Sequence, residues 1–165
     1  MPRAIIERPS PNWSGRGGAA IDCVVIHDTE CRGAEPTLSW FASPASRMSA
    51  HYVIDRDSTI YRCVDDEAGA WHAGDSVLDG CANVNACSIG VQLVGFASTA
   101  YMPLQLDALV ELCLSLCVRY RIAVDRIVGH ADIVVPAGRK RDPGPHFPWN
   151  QVRGRIAMGL AASVA

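Results

Sequence analysis

Residues 104–120, LQLDALVELCLSLCVRY, place the strongest constraint on how this chain can fold. Leu106, Leu109, Val110, Cys113, Cys117 and Tyr120 fall on one stripe at helical spacing, while Asp107, Glu111, Ser115 and Arg119 recur every four residues on the other side. A long helix with one apolar face needs an apolar layer to lie on. Two runs rich in β-branched residues supply it. IDCVVIH, residues 21–27, is almost continuously apolar and reads as a buried strand; in SIGVQLVGF, residues 88–96, Ile89, Val91 and Leu93 alternate with Gly90, Gln92 and Val94. Between them, SAHYVIDRDSTIYRCV reads as two strands about an RDST turn. Such a hairpin brings antiparallel pairing into a chain whose strands otherwise alternate with helices. The expected fold class is therefore α/β or α+β, a single-layer mixed sheet flanked by helices.

The other segments fit around that layer. PTLSWFASPASRM, residues 36–48, reads as a short amphipathic helix stopped or bent near Pro44. DRIVGHADI gives a short strand ending at His130, and a closing helix is expected from near Asn150. The first 20 residues read as an extended lead-in broken by turns. At 165 residues, 49% hydrophobic and 19% charged, the chain is expected to be one domain over 1–165 with its core at about 20–150. A formal charge of -2 leaves no basic footprint for nucleic acid. No stretch approaches the roughly 20 apolar residues of a membrane span, and the first residues lack the apolar run of a secretory signal. A cytoplasmic monomer without membrane partners is the expectation. Seven cysteines without a Cys-x-x-Cys pair are expected to be reduced, Cys113 and Cys117 as core residues, with a Cys81–Cys87 disulfide as the alternative.

His27 and His130 each follow an apolar strand and open a polar loop. Asp142 follows twelve positions after His130, in RKRDPGPHFPW, where Pro143 and Pro145 stiffen the backbone. Two imidazoles and one carboxylate on rigid supports form a catalytic zinc set, with a fourth position left open. On the residues alone a structural role for either histidine remains open, because five histidines and many carboxylates offer other trios. Cys31, four residues past His27, is a further potential donor.

VVIHDTE, SPASRMSAHYVIDRDSTIY, AWHAG, NACSIGVQLVG, IVGHADI and GRKRDPGPHFPW occur in the order, and with roughly the spacing, of one family. The chain resembles the zinc-dependent N-acetylmuramoyl-L-alanine amidases of type 2, which include AmpD-like recycling enzymes and phage lysins and share the fold of peptidoglycan-recognition proteins. The resemblance covers about residues 20 to 150. It implies a Zn²⁺ cofactor on His27, His130 and Asp142, a peptidoglycan or muropeptide substrate, and Lys140 reaching the scissile amide. The chemistry agrees: zinc polarises a carbonyl and acidifies water, and an ammonium stabilises the oxyanion that develops. Trp71 and His72, in WHAG, are substrate-groove residues by the resemblance, against a core Trp with a hydrogen-bonded His. His146 would line the groove or face solvent. Arg139 and Arg141 would face solvent or steer an anionic muropeptide, and His51 is expected to be structural.

Two departures stand out. The AmpD-like branch carries a glutamate, thought to be a general base, where this chain has Gln92; the lysin branch uses a tyrosine where it has Ala50. A glutamine amide can position a water but takes no proton at neutral pH. Three accounts follow: zinc with Lys140 suffices, Asp28 or Glu30 replaces the base, or the chain binds peptidoglycan without cutting it.

Overall fold

The computed structural model describes residues 3–164. Strands β1 (Ile5–Glu7), β3 (Cys23–Asp28), β4 (Tyr52–Ile54), β5 (Ile60–Arg62), β7 (Ser88–Leu93) and β8 (Ile127–Gly129) form one six-stranded sheet in the order β1-β5-β4-β7-β3-β8. Only β4 and β5 pair antiparallel; the other neighbours run parallel, so the sheet is mixed, as the hairpin required. Helices α1 (Ala34–Ala42), α2 (Val84–Cys87), α3 (Pro103–Tyr120), α4 (His130–Ile133) and α5 (Trp149–Val164) complete the fold.

Side-chain alternation divides the sheet into two working faces. Val24 and Ile26 of β3, with Ile89, Val91 and Leu93 of β7, pack against Leu106, Leu109, Cys113 and Cys117 of α3 and Val152 and Ile156 of α5. The apolar stripe of α3 is thus the one expected. Cys23 and Val25, one residue out of phase, meet Val84, Cys87, Val128 and Ile133 on the opposite face. Burial on both sides explains why the run into His27 is almost continuously apolar. By the same period of two, His27 belongs to the second face, as do Ser88, Gly90 and Gln92. The register sets His27 directly beside Gln92.

The lead-in is more ordered than turn residues alone predict. Ile5–Glu7 adds a parallel edge to β5, and β2 (Trp13–Gly15) pairs antiparallel with β6 (Ala68–Ala70) in a small second sheet. The central mixed sheet is thus accompanied by a small two-stranded one. These three-residue strands have exposed or glycine-rich sequences, so their pairing comes from tertiary position and leaves no periodic signal. All seven cysteines are free thiols, and the Sγ atoms of Cys81 and Cys87 stand 3.1 Å apart. Among the described residues no helix is long and apolar enough to cross a membrane.

Candidate metal centre

His27 sits near the carboxyl end of β3, and His130 is the first residue of α4, immediately after β8. Because β8 lies next to β3 in the sheet, these two strand ends are neighbours. Asp142 reaches them from a loop that the chain ties down at several points. Its carbonyl accepts from the Ala131 N–H at 3.0 Å, which fastens it to the turn that carries His130. The Tyr101 hydroxyl donates to the Pro143 carbonyl at 2.6 Å. Gly144 has φ +80 and its Cα faces the Ala97 backbone, so a side chain there would be both strained and overlapping. The two prolines thus stiffen a loop that hydrogen bonds and one glycine aim.

Asp142 Oδ2 lies 3.1 Å from Nδ1 of His27 and 3.1 Å from Nδ1 of His130, and the three donor atoms all fall within 4.8 Å of one another. Both imidazoles are buried, and Asp142 is nearly so. Burial by itself would raise the Asp142 pKa, but the flanking imidazole nitrogens outweigh it and hold the carboxyl well below the usual range. Burial chiefly lowers the His27 pKa, against the pull of Asp142, with His130 and Lys140 adding to the lowering. The far nitrogen of His130, Nε2, faces the Ala73 carbonyl at 3.2 Å. A carbonyl only accepts, so Nε2 carries a proton, and Nδ1 is the ring nitrogen left to give a lone pair to a cation held between it and Asp142. Two nitrogen lone pairs and an ionised carboxylate aimed at one point are a donor set for a divalent cation, and for tetrahedral zinc they match in number and type. The residues fit the metal.

The trio forms part of the wall of a cavity of about 1090 Å³, lined also by Gln92, Lys140 and His146. Gln92, at 8% exposed, stands in the cavity beside His27, where the family glutamate was expected. Lys140 and His146 are exposed on its rim. Trp71 does not line it: the indole Nε1 donates to Ser14 Oγ at 3.2 Å, on the side of the small β2–β6 sheet. His72 does reach the wall, yet it is buried and hydrogen-bonded to His27. His51 is fully buried, accepting from the Gly90 N–H and facing the Ala68 carbonyl, both at 2.9 Å. Arg139 and Arg141 are both exposed and both line the cavity, with the Arg139 guanidinium held by the carbonyls of Val135 and Asp75. Cys31 also lines it but stands outside the donor cluster.

Sequence reasoning missed the apolar wall. Trp40, 55% exposed, and Met48, 43% exposed, face this cavity together with Pro36. Trp40 lies off the buried stripe of the amphipathic helix. The available signal was that Leu38 and Phe41 already fill that stripe, leaving a tryptophan over. Asp28, weighed above as a replacement for the missing base, also lines the cavity: one carboxylate oxygen is buried without a partner, and its pKa is pushed up to about 7, by burial first and by Asp142 and Glu30 next.

The family model of N-acetylmuramoyl-L-alanine amidase matches residues 17–145, and the chain belongs to that family. Among curated relatives it is 38% identical over 112 residues to the 1,6-anhydro-N-acetylmuramyl-L-alanine amidase AmpD of Salmonella typhimurium, covering 68% of this chain and 59% of that one. The match thus spans about three fifths of that relative's length. Among solved structures, selenomethionine AmpD superposes with a TM-score of 0.78 at 30% identity, covering 92% of this chain and 93% of that one. Escherichia coli AmiD, in complex with anhydro-N-acetylmuramic acid-L-Ala-D-gamma-Glu-L-Lys, gives a TM-score of 0.73 at 31% identity, covering 84% of this chain and 59% of that one.

Proposed function

We propose that residues 1–165 form a single zinc-dependent amidase domain, active as a monomer, that hydrolyses the bond between the lactyl group of N-acetylmuramic acid and the L-alanine of a muropeptide stem. The observation that carries this reading is the convergence of His27, His130 and Asp142 on one point in the wall of an open cavity. Family membership and the muropeptide held by AmiD supply the substrate class.

When bound to His27, His130 and Asp142, zinc supplies Lewis acidity, polarising the amide carbonyl and making an attacking water acidic enough to react near neutral pH. The remaining work falls to side chains. Lys140, on the rim two residues before Asp142, directs an ammonium at the oxyanion that forms as the carbonyl is attacked. Gln92 accepts a hydrogen bond from the water through its amide oxygen and orients it without taking its proton, which leaves to solvent while the alanyl nitrogen takes one up as the C–N bond breaks. Trp40, Pro36 and Met48 offer an apolar wall to the sugar or stem, and His146 and Arg141 polar groups at the rim. Trp71, expected in the groove, has no part in this reading because it lies outside the cavity lining.

Mass spectrometry of purified protein with a muramyl tripeptide tests the reading. Free L-alanyl peptide is expected, and chelation should abolish it until zinc is restored. Release that survives chelation would remove the metal from the reaction, and tight binding without release would make the chain a recognition module. Gln92→Glu bears on the missing base: turnover should rise, by up to about 100-fold if a full general base is regained. A fall in turnover with zinc still bound would mean that the amide, not a carboxylate, is what this site needs.

A further inference from the structure

A chain of buried hydrogen bonds runs behind the metal ligands and starts at the junction of α2 and β7. The Ser88 hydroxyl lies 2.5 Å from the Val84 carbonyl, which can only accept, so the single hydroxyl proton is committed there. The Ser88 oxygen keeps lone pairs for His72, whose Nε2 stands 3.0 Å away and must donate. His72 is 5% exposed, and its ring partners, Ser88 and His27, carry no negative charge. A second ring proton would leave a buried cation without a counter-ion, which is costly. Nδ1 of His72 is therefore bare and accepts from Nε2 of His27 at 2.9 Å. With Nε2 committed as a donor, Nδ1 of His27 is the nitrogen left for a cation held against Asp142.

The same short segment supports the second imidazole. Asn85 Oδ1 accepts from two successive backbone N–H groups, those of His72 at 3.0 Å and Ala73 at 2.8 Å. Ala73 in turn offers its carbonyl to Nε2 of His130. One amide oxygen thus holds the neighbours of both histidine ligands. Gly90, two residues past Ser88, makes room for the arrangement: a Cβ there would stand 2.5 Å from the His72 ring. The ring lies directly against the strand backbone, where it has little freedom to turn.

We propose that Asn85, Ser88 and His72 are positioning residues that fix the tautomer and orientation of His27 and His130, so that both present Nδ1 to the cation. The proposal rests on the zinc reading above and extends it from the three ligands to the α2–β7 junction that aims them. Outer partners of metal-bound histidines typically change metal affinity by about 10- to 100-fold.

The test measures zinc dissociation constants, by competition with a chromogenic chelator, for the native chain, His72→Ala, Ser88→Ala, Asn85→Ala and His72→Gln. Side-chain ¹H–¹⁵N correlation spectra of the zinc-loaded native protein report the tautomers. His72→Ala is expected to bind zinc about 10- to 100-fold more weakly. His72→Gln, whose amide holds an acceptor and a donor, should recover part of that loss, which a purely space-filling role for His72 would not produce. In the spectra both His27 and His72 should carry their proton on Nε2. Native zinc affinity in a folded His72→Ala protein, or a His27 proton on Nδ1, would overturn the proposal. If His72→Ala does not fold, Ser88→Ala decides, because it removes a single oxygen. A native chain that binds no zinc overturns both the functional reading and this one. A native chain that binds zinc but releases no peptide sinks the catalytic reading alone, and the affinities still decide the relay.

Discussion

Protein carrying Asp142→Asn is expected to fold, to hold far less than one zinc per chain, and to lose peptide release by more than about 100-fold, beyond the cost of losing an outer partner of a ligand. The substitution keeps the shape of the side chain and removes its charge. Asp142 Oδ2 stands 3.1 Å from both imidazole nitrogens and is the anionic member of the trio. An amide turned the other way would donate N–H to those same nitrogens, and the lone pairs meant for a cation would be used up within the protein. The melting temperature should accordingly hold or rise while metal binding collapses. Metal analysis of protein dialysed against zinc, together with a thermal melt, checks both. Full zinc occupancy with native turnover would show that Asp142 is not a ligand, and the Pro-stiffened loop would need another purpose.

Lys140→Ala should leave zinc content unchanged and lower kcat by about 10²- to 10³-fold, the cost of removing one preorganised oxyanion donor. KM should move little, since the lost interaction forms mainly as charge develops on the carbonyl oxygen. The side chain is exposed and lines the cavity, and its charge reaches the site, being among those that lower the His27 pKa after burial. Steady-state kinetics on a muramyl tripeptide separate the two parameters. An unchanged kcat would take Lys140 out of the chemistry. A rise in KM alone would make it a group that binds an anionic part of the stem.

The legible parts of this molecule share one property: their signal is local. The stripe on residues 104–120 appears in the structure as the contact of α3 with the sheet, and the alternation in residues 88–93 predicts which side of β7 meets it. The hairpin turn forecast the antiparallel pair in a sheet that is otherwise parallel. His27, His130 and Asp142 were found through strand-end positions, a proline-rich loop and the order of family motifs. The structure then brought together atoms separated by as many as 115 residues. What escaped had no local pattern. β1, β2 and β6 are three residues each and exist only because a neighbouring strand accepts them. Trp40 lies off the buried stripe of its helix and faces the cavity, which a helical wheel does not show, because a wheel gives the angle of a side chain and not what lies across from it.

Taken alone, the sequence determined the class of fold, the two faces of its central strands, the family, and the three residues that meet in the candidate metal centre. These follow from the spacing of side chains along one stretch of backbone, which sets helix or strand and the side each residue faces. Only the tertiary structure decided that Trp71 stays out of the cavity, that His72 stands behind His27, and that Asn85 and Ser88 hydrogen-bond the segment behind both imidazoles. Those facts depend on which hydrogen-bond donors and acceptors meet across the fold. That is a property of packed surfaces, and spacing along the chain does not carry it.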